Sequence, residues 1–166
     1  MVAITVSIGI DPGLTGAIAV LAGPKGKKQG LVYVYDMPVC RRGLGTGLVK
    51  NQIAPALLKI LLESLVTTGA KVMIESPLSF QGQGMTTTCS LFLSAGIIEG
   101  VVSAMGLDYT VVQPSEWKRA MGLTSDKNRS LKVARRLYPD VPLTLKKHHN
   151  RAEAILLAQY CAERHA

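Results

Sequence analysis

Three runs rich in β-branched residues, 4–11, 15–22 and 30–36, open the chain between glycine-containing turns and predict an antiparallel three-strand meander. The polar stretch between Ala22 and Gly30 is the tip of the second hairpin. From 37 to 47 the apolar pattern breaks up around Pro38, Arg41 and Arg42, which predicts a basic, mobile connection able to meet a phosphate. Leucines and isoleucines at helical spacing mark 51–68 as an amphipathic helix, with Pro55 in its first turn. A buried strand is expected at 71–75, then a loop, 76–86, rich in Gly, Gln, Ser and Thr. The small residues and glycines of 87–105, on a mostly apolar surface, predict a well-buried helix. A strand at 109–112 and a short helix at 116–121, opened by Pro114-Ser115, come next. A second helix begins at the cap-like Thr124-Ser125-Asp126 and runs to 138, and the last occupies 149–164. The order β-β-β-α-β-α-β-α-α-α describes an α/β mixed sheet, meander first and parallel strands after, with helices on its faces.

Composition narrows the class. The chain has 166 residues and is 48% hydrophobic, enough for a substantial core, and neither a repeat nor a composition shift marks a linker, so 1–166 reads as one domain. No apolar run approaches the ~20 residues of a membrane span, so no membrane partner is expected. The first residues lack a secretory layout, which predicts an intracellular protein. Cys40, Cys89 and Cys161 are odd in number and far apart, against both a disulfide framework and a zinc site. Nineteen Lys and Arg against 11 acids give a formal charge of +8, which favours a polyanionic partner, since neutralising phosphates releases counterions. Lys127, Arg129, Lys132, Arg135 and Arg136 follow one predicted helix, as a solvated face or one that meets a nucleic-acid backbone.

Candidate chemistry enters with two acids. Asp11 ends the apolar run Ile8-Gly9-Ile10, and Glu75 ends Val72-Met73-Ile74. A buried strand excludes ionisable groups unless they are paired or hold a metal. An Asp before Pro-Gly also caps turns, but two strand-end acids in one chain point to a shared purpose. On the last helix His149 and Glu153 are four apart and share a face. A solvated glutamate and a first-turn polar histidine are their ordinary uses. With Asp11 and Glu75 they would complete a set of oxygen and imidazole ligands suited to Mg²⁺ or Mn²⁺, ions that activate water for phosphodiester cleavage.

The segments Ile8-Gly-Ile-Asp-Pro-Gly-Leu-Thr-Gly-Ala, Ile74-Glu-Ser-Pro, Pro114-Ser-Glu-Trp-Lys-Arg and Lys147-His-His-Asn-Arg-Ala-Glu-Ala-Ile-Leu-Leu-Ala resemble, in this order and over nearly the whole chain, a RuvC-type Holliday-junction resolvase of the phage and chloroplast-type branch. That resemblance implies a ribonuclease H-like fold and a homodimer that resolves four-way DNA junctions by paired, symmetric nicks with Mg²⁺, Mn²⁺ substituting. It implies a cytoplasmic setting in a bacterial or phage-infected cell, or an organelle matrix. By position Asp11, Glu75 and Glu153 match the family's acids. The fourth place, often Asp in relatives, is offered here by His148, His149 or Asn150, and His149 is the choice, as metal ligand or as general acid or base. Lys118 matches a lysine near the scissile phosphate, where a fixed cation stabilises developing charge. Phe80 lies where the family inserts a side chain at the junction centre. Gln81 beside it, with Arg41, Arg42, Trp117, Arg119, Lys146, Lys147 and Arg151, completes the expected DNA contacts. The helix around 54–66 is the expected dimer surface.

A related nuclease of the same fold acting on RNA–DNA hybrids or structured replication intermediates is one rival reading, and two other classes compete. A non-catalytic nucleic-acid-binding protein on the same fold would explain the altered start of the last helix. An actin-like phosphotransferase also opens with Asp-x-Gly-x-Thr after a strand, but needs a second such subdomain and another glycine-rich phosphate segment, which this chain lacks.

Overall fold

A computed structural model describes residues 4–24, 30–43, 49–79 and 81–165. Five strands form one sheet in the order β3-β2-β1-β6-β7: β1 (Ile4–Asp11), β2 (Ala17–Pro24), β3 (Leu31–Asp36), β6 (Lys71–Glu75) and β7 (Asp108–Val112). The first three are antiparallel, and β6 and β7 continue parallel to β1. The mixed sheet is what the order of elements predicts, and its arrangement is that of the ribonuclease H-like fold which the resemblance implies.

Alternation along the strands divides the core into two layers. Val6, Ile8 and Ile10 of β1, Ile18 and Val20 of β2, and Val72 and Ile74 of β6 face α1 (Pro55–Leu65) and α2 (Met85–Ala104). Ala17, Ala19, Leu21 and Met73 face the other way, against α3 (Pro114–Ala120), α4 (Lys127–Leu137) and α5 (His149–Arg164). β1 is buried from Val6 to Asp11 because it has a strand on each side and helices on both faces. α5 is buried around most of its circumference, between the sheet and α4. Gly9 is what lets it come so close: any side chain there would collide with the α5 backbone. Asp126 caps α4 by accepting from the Asn128 amide at 2.9 Å, as its sequence suggests.

Three expectations need correction. The basic connection contains β4 (Val39–Gly43), paired with β5 (Val49–Ile53) as a separate antiparallel two-stranded sheet that satisfies its backbone groups in regular pairing. Residues 51–53 therefore belong to a strand, and the helix starts at Pro55. Proline disfavours helical angles in the residue before it, and Ala54 is extended. α2 is not well buried. Only Ser94, Ala95, Ile98 and Val102 are covered, while Met85, Phe92 and Leu93 stand exposed, because α1 already fills much of that layer through Leu58 and Leu62. Among the described residues α2 is also, by length and composition alone, long and apolar enough to cross a membrane, although Glu99 and several Thr and Ser interrupt its apolar run.

Candidate active site

The strand alternation that splits the core also aims the acids. Asp11 shares a face of β1 with Gly9, and Glu75 shares a face of β6 with Met73, so both project toward the α5 side. The parallel register pairs Ile10 with Ile74, which sets the two acids next to each other, one residue further along adjacent strands. Glu153 comes from α5, just before Ala154, whose carbonyl lies over Gly9. All three line one cavity of about 930 Å³, together with Lys118, Arg119, Lys127 and Asn150.

Their environments differ. Asp11 is 9% exposed, and the described residues offer its carboxylate no hydrogen bond, from the turn after it or elsewhere, so it is not a turn cap. Burial, then repulsion from Glu75 and Glu153, holds its pKa well above the ordinary value, opposed by Lys127 and Lys118. Glu75 is raised too, chiefly by burial, although the Trp117 indole, donating to its Oε1 at 2.9 Å, pulls the other way. Glu153 is 3% exposed and its Oε1 accepts from Lys118 Nζ at 2.8 Å and from Ser130 Oγ at 3.1 Å. Two acids thus have one oxygen tied to the protein, and the third is buried among like charges.

The donor chemistry suits a hard divalent cation: three carboxylates, one of them, Asp11, without a hydrogen-bonding partner among the described residues and made costly by its acidic neighbours. As placed, no group of three or more His, Cys, Asp or Glu among the described residues is gathered tightly enough to hold an ion at one point. Glu153 is bonded instead to Lys118 and Ser130, and Glu75 to Trp117.

The structure brings Asn150, not His149, to the cavity. His149 Nδ1 lies 3.2 Å from the Lys146 carbonyl, its own preceding turn, and His148 Nδ1 accepts from the Leu145 amide. Asn150 donates through Nδ2 to the Thr15 carbonyl at 2.6 Å, and because a carbonyl can only accept, this fixes which way the amide faces. Spacing of three to Glu153 shares a helix face as well as spacing of four does. Trp117 is 0% exposed and part of the core, so it cannot stack on DNA, and the expectation of a DNA contact there is wrong. Arg151 is engaged in a two-pronged bond to Asp36 of β3, which holds that acid below its usual range, and is not a free phosphate ligand. Arg119 is exposed at the cavity, Arg41 and Arg42 lie exposed on β4, and Lys146, Lys147 and Gln81 are exposed. Phe80 lies outside the described residues. Ser130 escapes a reading of the sequence, and Lys127 is singled out there only as one of five cations on its helix, because nothing in a charged helix says which turn meets a cavity. A serine among basic residues, at a spacing of three from Lys127, is the one hint.

No family model and no curated protein sequence matches the chain. Solved structures do. T. thermophilus RuvC in complex with a Holliday junction substrate aligns with a TM-score of 0.57 and 12% identity, covering 95% of this chain and 90% of that one. A second structure of Thermus thermophilus RuvC gives 0.52 and 14%, covering 95% and 92%.

Proposed function

We propose that this chain, which has the fold of RuvC, is a divalent-metal-dependent endonuclease that resolves four-way DNA junctions by paired nicks. The observation that carries the proposal is the meeting of Asp11, Glu75 and Glu153, from two neighbouring strands and one helix, in a cavity rimmed by Lys118, Arg119 and Lys127. Acids gathered beside cations in a protein of charge +8 suit a reaction on a phosphodiester.

In this reading Asp11, Glu75 and Glu153 would hold a divalent cation, with Asn150 in the fourth place as a neutral side chain beside it. Bound Mg²⁺, or Mn²⁺ in its stead, supplies an activated water and stabilises the leaving oxygen. Lys118, fixed by Glu153 and 5.3 Å from the Trp117 ring centre, stabilises charge on the phosphate under attack. Arg119 and Lys127 hold neighbouring phosphates and position the strand without reading its sequence. Two opposed cuts need two sites, which a C₂ homodimer provides. The apolar outer surfaces of α1, with Leu57 and Ile60, and of α2, with Phe92 and Leu93, support such pairing.

The test is cleavage of a mobile four-way junction against linear duplex of the same sequence, with Mg²⁺ and with chelator. Symmetric nicks on the junction alone, dependent on metal and lost in Asp11→Asn, Glu75→Gln and Glu153→Gln while junction binding persists, are expected. Tight junction binding by the wild type without nicks in Mg²⁺ or Mn²⁺ would favour the non-catalytic DNA-binding reading.

A further inference from the structure

Trp117 is the chain's one tryptophan, and it is fully buried in the core layer it shares with Val112, Leu123 and Leu156. A buried indole N–H costs free energy unless it finds an acceptor. The acceptor here is Glu75 Oε1, 2.9 Å away and 42 residues earlier in the chain. Glu75 closes β6 at the cavity, where its side chain has several free torsions that the strand does not set. The indole is set firmly, because the core encloses its ring, and the bond ties down just one of the two carboxylate oxygens.

We propose that Trp117 is a positioning residue, whose indole N–H holds Glu75 so that its second carboxylate oxygen is presented to a divalent cation in the cavity. The proposal rests on the nuclease reading above. Lys118, next in the same short helix, ties one oxygen of Glu153, so α3 gives one donor to each of two acids. Partners of this kind fix a ligand's orientation before the ion arrives and spare the cost of ordering it afterwards. A tryptophan used only as core filling would be indifferent to whether its acceptor binds a cation.

The test is Trp117→Phe, which keeps a ring in the core and removes the donor, with Mn²⁺ affinity measured by calorimetry without DNA on protein shown to be folded. Affinity is expected to fall roughly tenfold or more. Glu75→Gln should fall at least as far, and the double variant no further than Glu75→Gln alone. Folded Trp117→Phe that binds Mn²⁺ like the wild type would overturn the proposal. If that variant does not fold, the wild type still decides, since its sole tryptophan touches the acid in question. Its emission should change on Mg²⁺ addition with the midpoint of a parallel Mg²⁺ calorimetric titration, and Mg²⁺ binding without any change in emission would overturn the proposal. A wild type that binds no Mn²⁺ at millimolar concentration removes the nuclease reading itself, and this inference with it.

Discussion

Gly9 lies against the backbone of Ala154: a Cβ at position 9 would stand 2.3 Å from the Ala154 carbonyl oxygen and 2.4 Å from the Ala158 amide nitrogen. β1 and α5 therefore meet backbone on backbone, and that closeness brings Glu153 into the same cavity as Asp11. Gly9→Ala should destabilise the fold by about 3 kcal/mol, the upper end for an overpacked core. In a chain of this size that is a fall of roughly 6–12 °C in melting temperature. Cleavage should drop with it even below the new melting point, and calorimetry beside a junction assay at low temperature checks both.

Asp11 carries a stability cost that the metal-free protein bears. Its pKa is raised on folding, from an ordinary 3.8, so the folded state holds the proton more tightly than the unfolded one. Stability therefore falls as pH rises from about that ordinary value through the raised one, and above this window the full penalty applies. Asp11→Asn should raise metal-free stability at pH 7 by about 1 kcal/mol, or a few degrees, while abolishing cleavage. Melting curves across the acid range in chelator read this directly. A variant that melts below the wild type at neutral pH would mean that the carboxylate is satisfied as it stands.

For the fourth place, Asn150→Ala should lower cleavage at least tenfold, the usual cost of losing a site group, and Asn150→Asp should keep activity. His149→Ala should stay within a few-fold of the wild type, with no gain from Mn²⁺, because that imidazole faces its own preceding turn. Single-turnover rates on a junction distinguish the two assignments, and the opposite ranking would return the role to His149.

Pairing through the α1 and α2 surfaces predicts a mass near twice 17.7 kDa in light scattering. Phe92→Glu, at a side chain 47% exposed, should give folded monomers that nick one strand at a time. Retention of dimers would move the interface elsewhere.

How much of this was legible in the sequence follows from which signals are local. β1, β2, β3 and β6 announce themselves as apolar runs, and the alternation that turns Asp11 and Glu75 to one face can be counted from the letters. β4 and β5 cannot, since Arg41, Arg42, Lys50, Asn51 and Gln52 make a ribbon whose regularity lies in its backbone pairing. α2 misleads for the opposite reason: it is apolar nearly all round, so composition does not say that Phe92 points out and Ile98 in. Which of His149 and Asn150 lies at the cavity turns on a rotation of one residue in α5, and the bond from Asn150 to Thr15, far apart in the chain, is what places Asn150 there. The tie from Trp117 to Glu75 is equally non-local.

The chain order of α5 sets a clock on synthesis. This helix follows every strand it covers, so when a ribosome has delivered β1 to β7 the sheet still has one apolar face bare and its acids lack Glu153. At about 5–20 residues per second the 37 positions from 112 to 149 take seconds to appear. Throughout that interval the nascent protein is an incomplete layer in need of cover and has no assembled site. Arrival of one helix closes the core and completes the acids together, so the candidate site comes only with a finished fold.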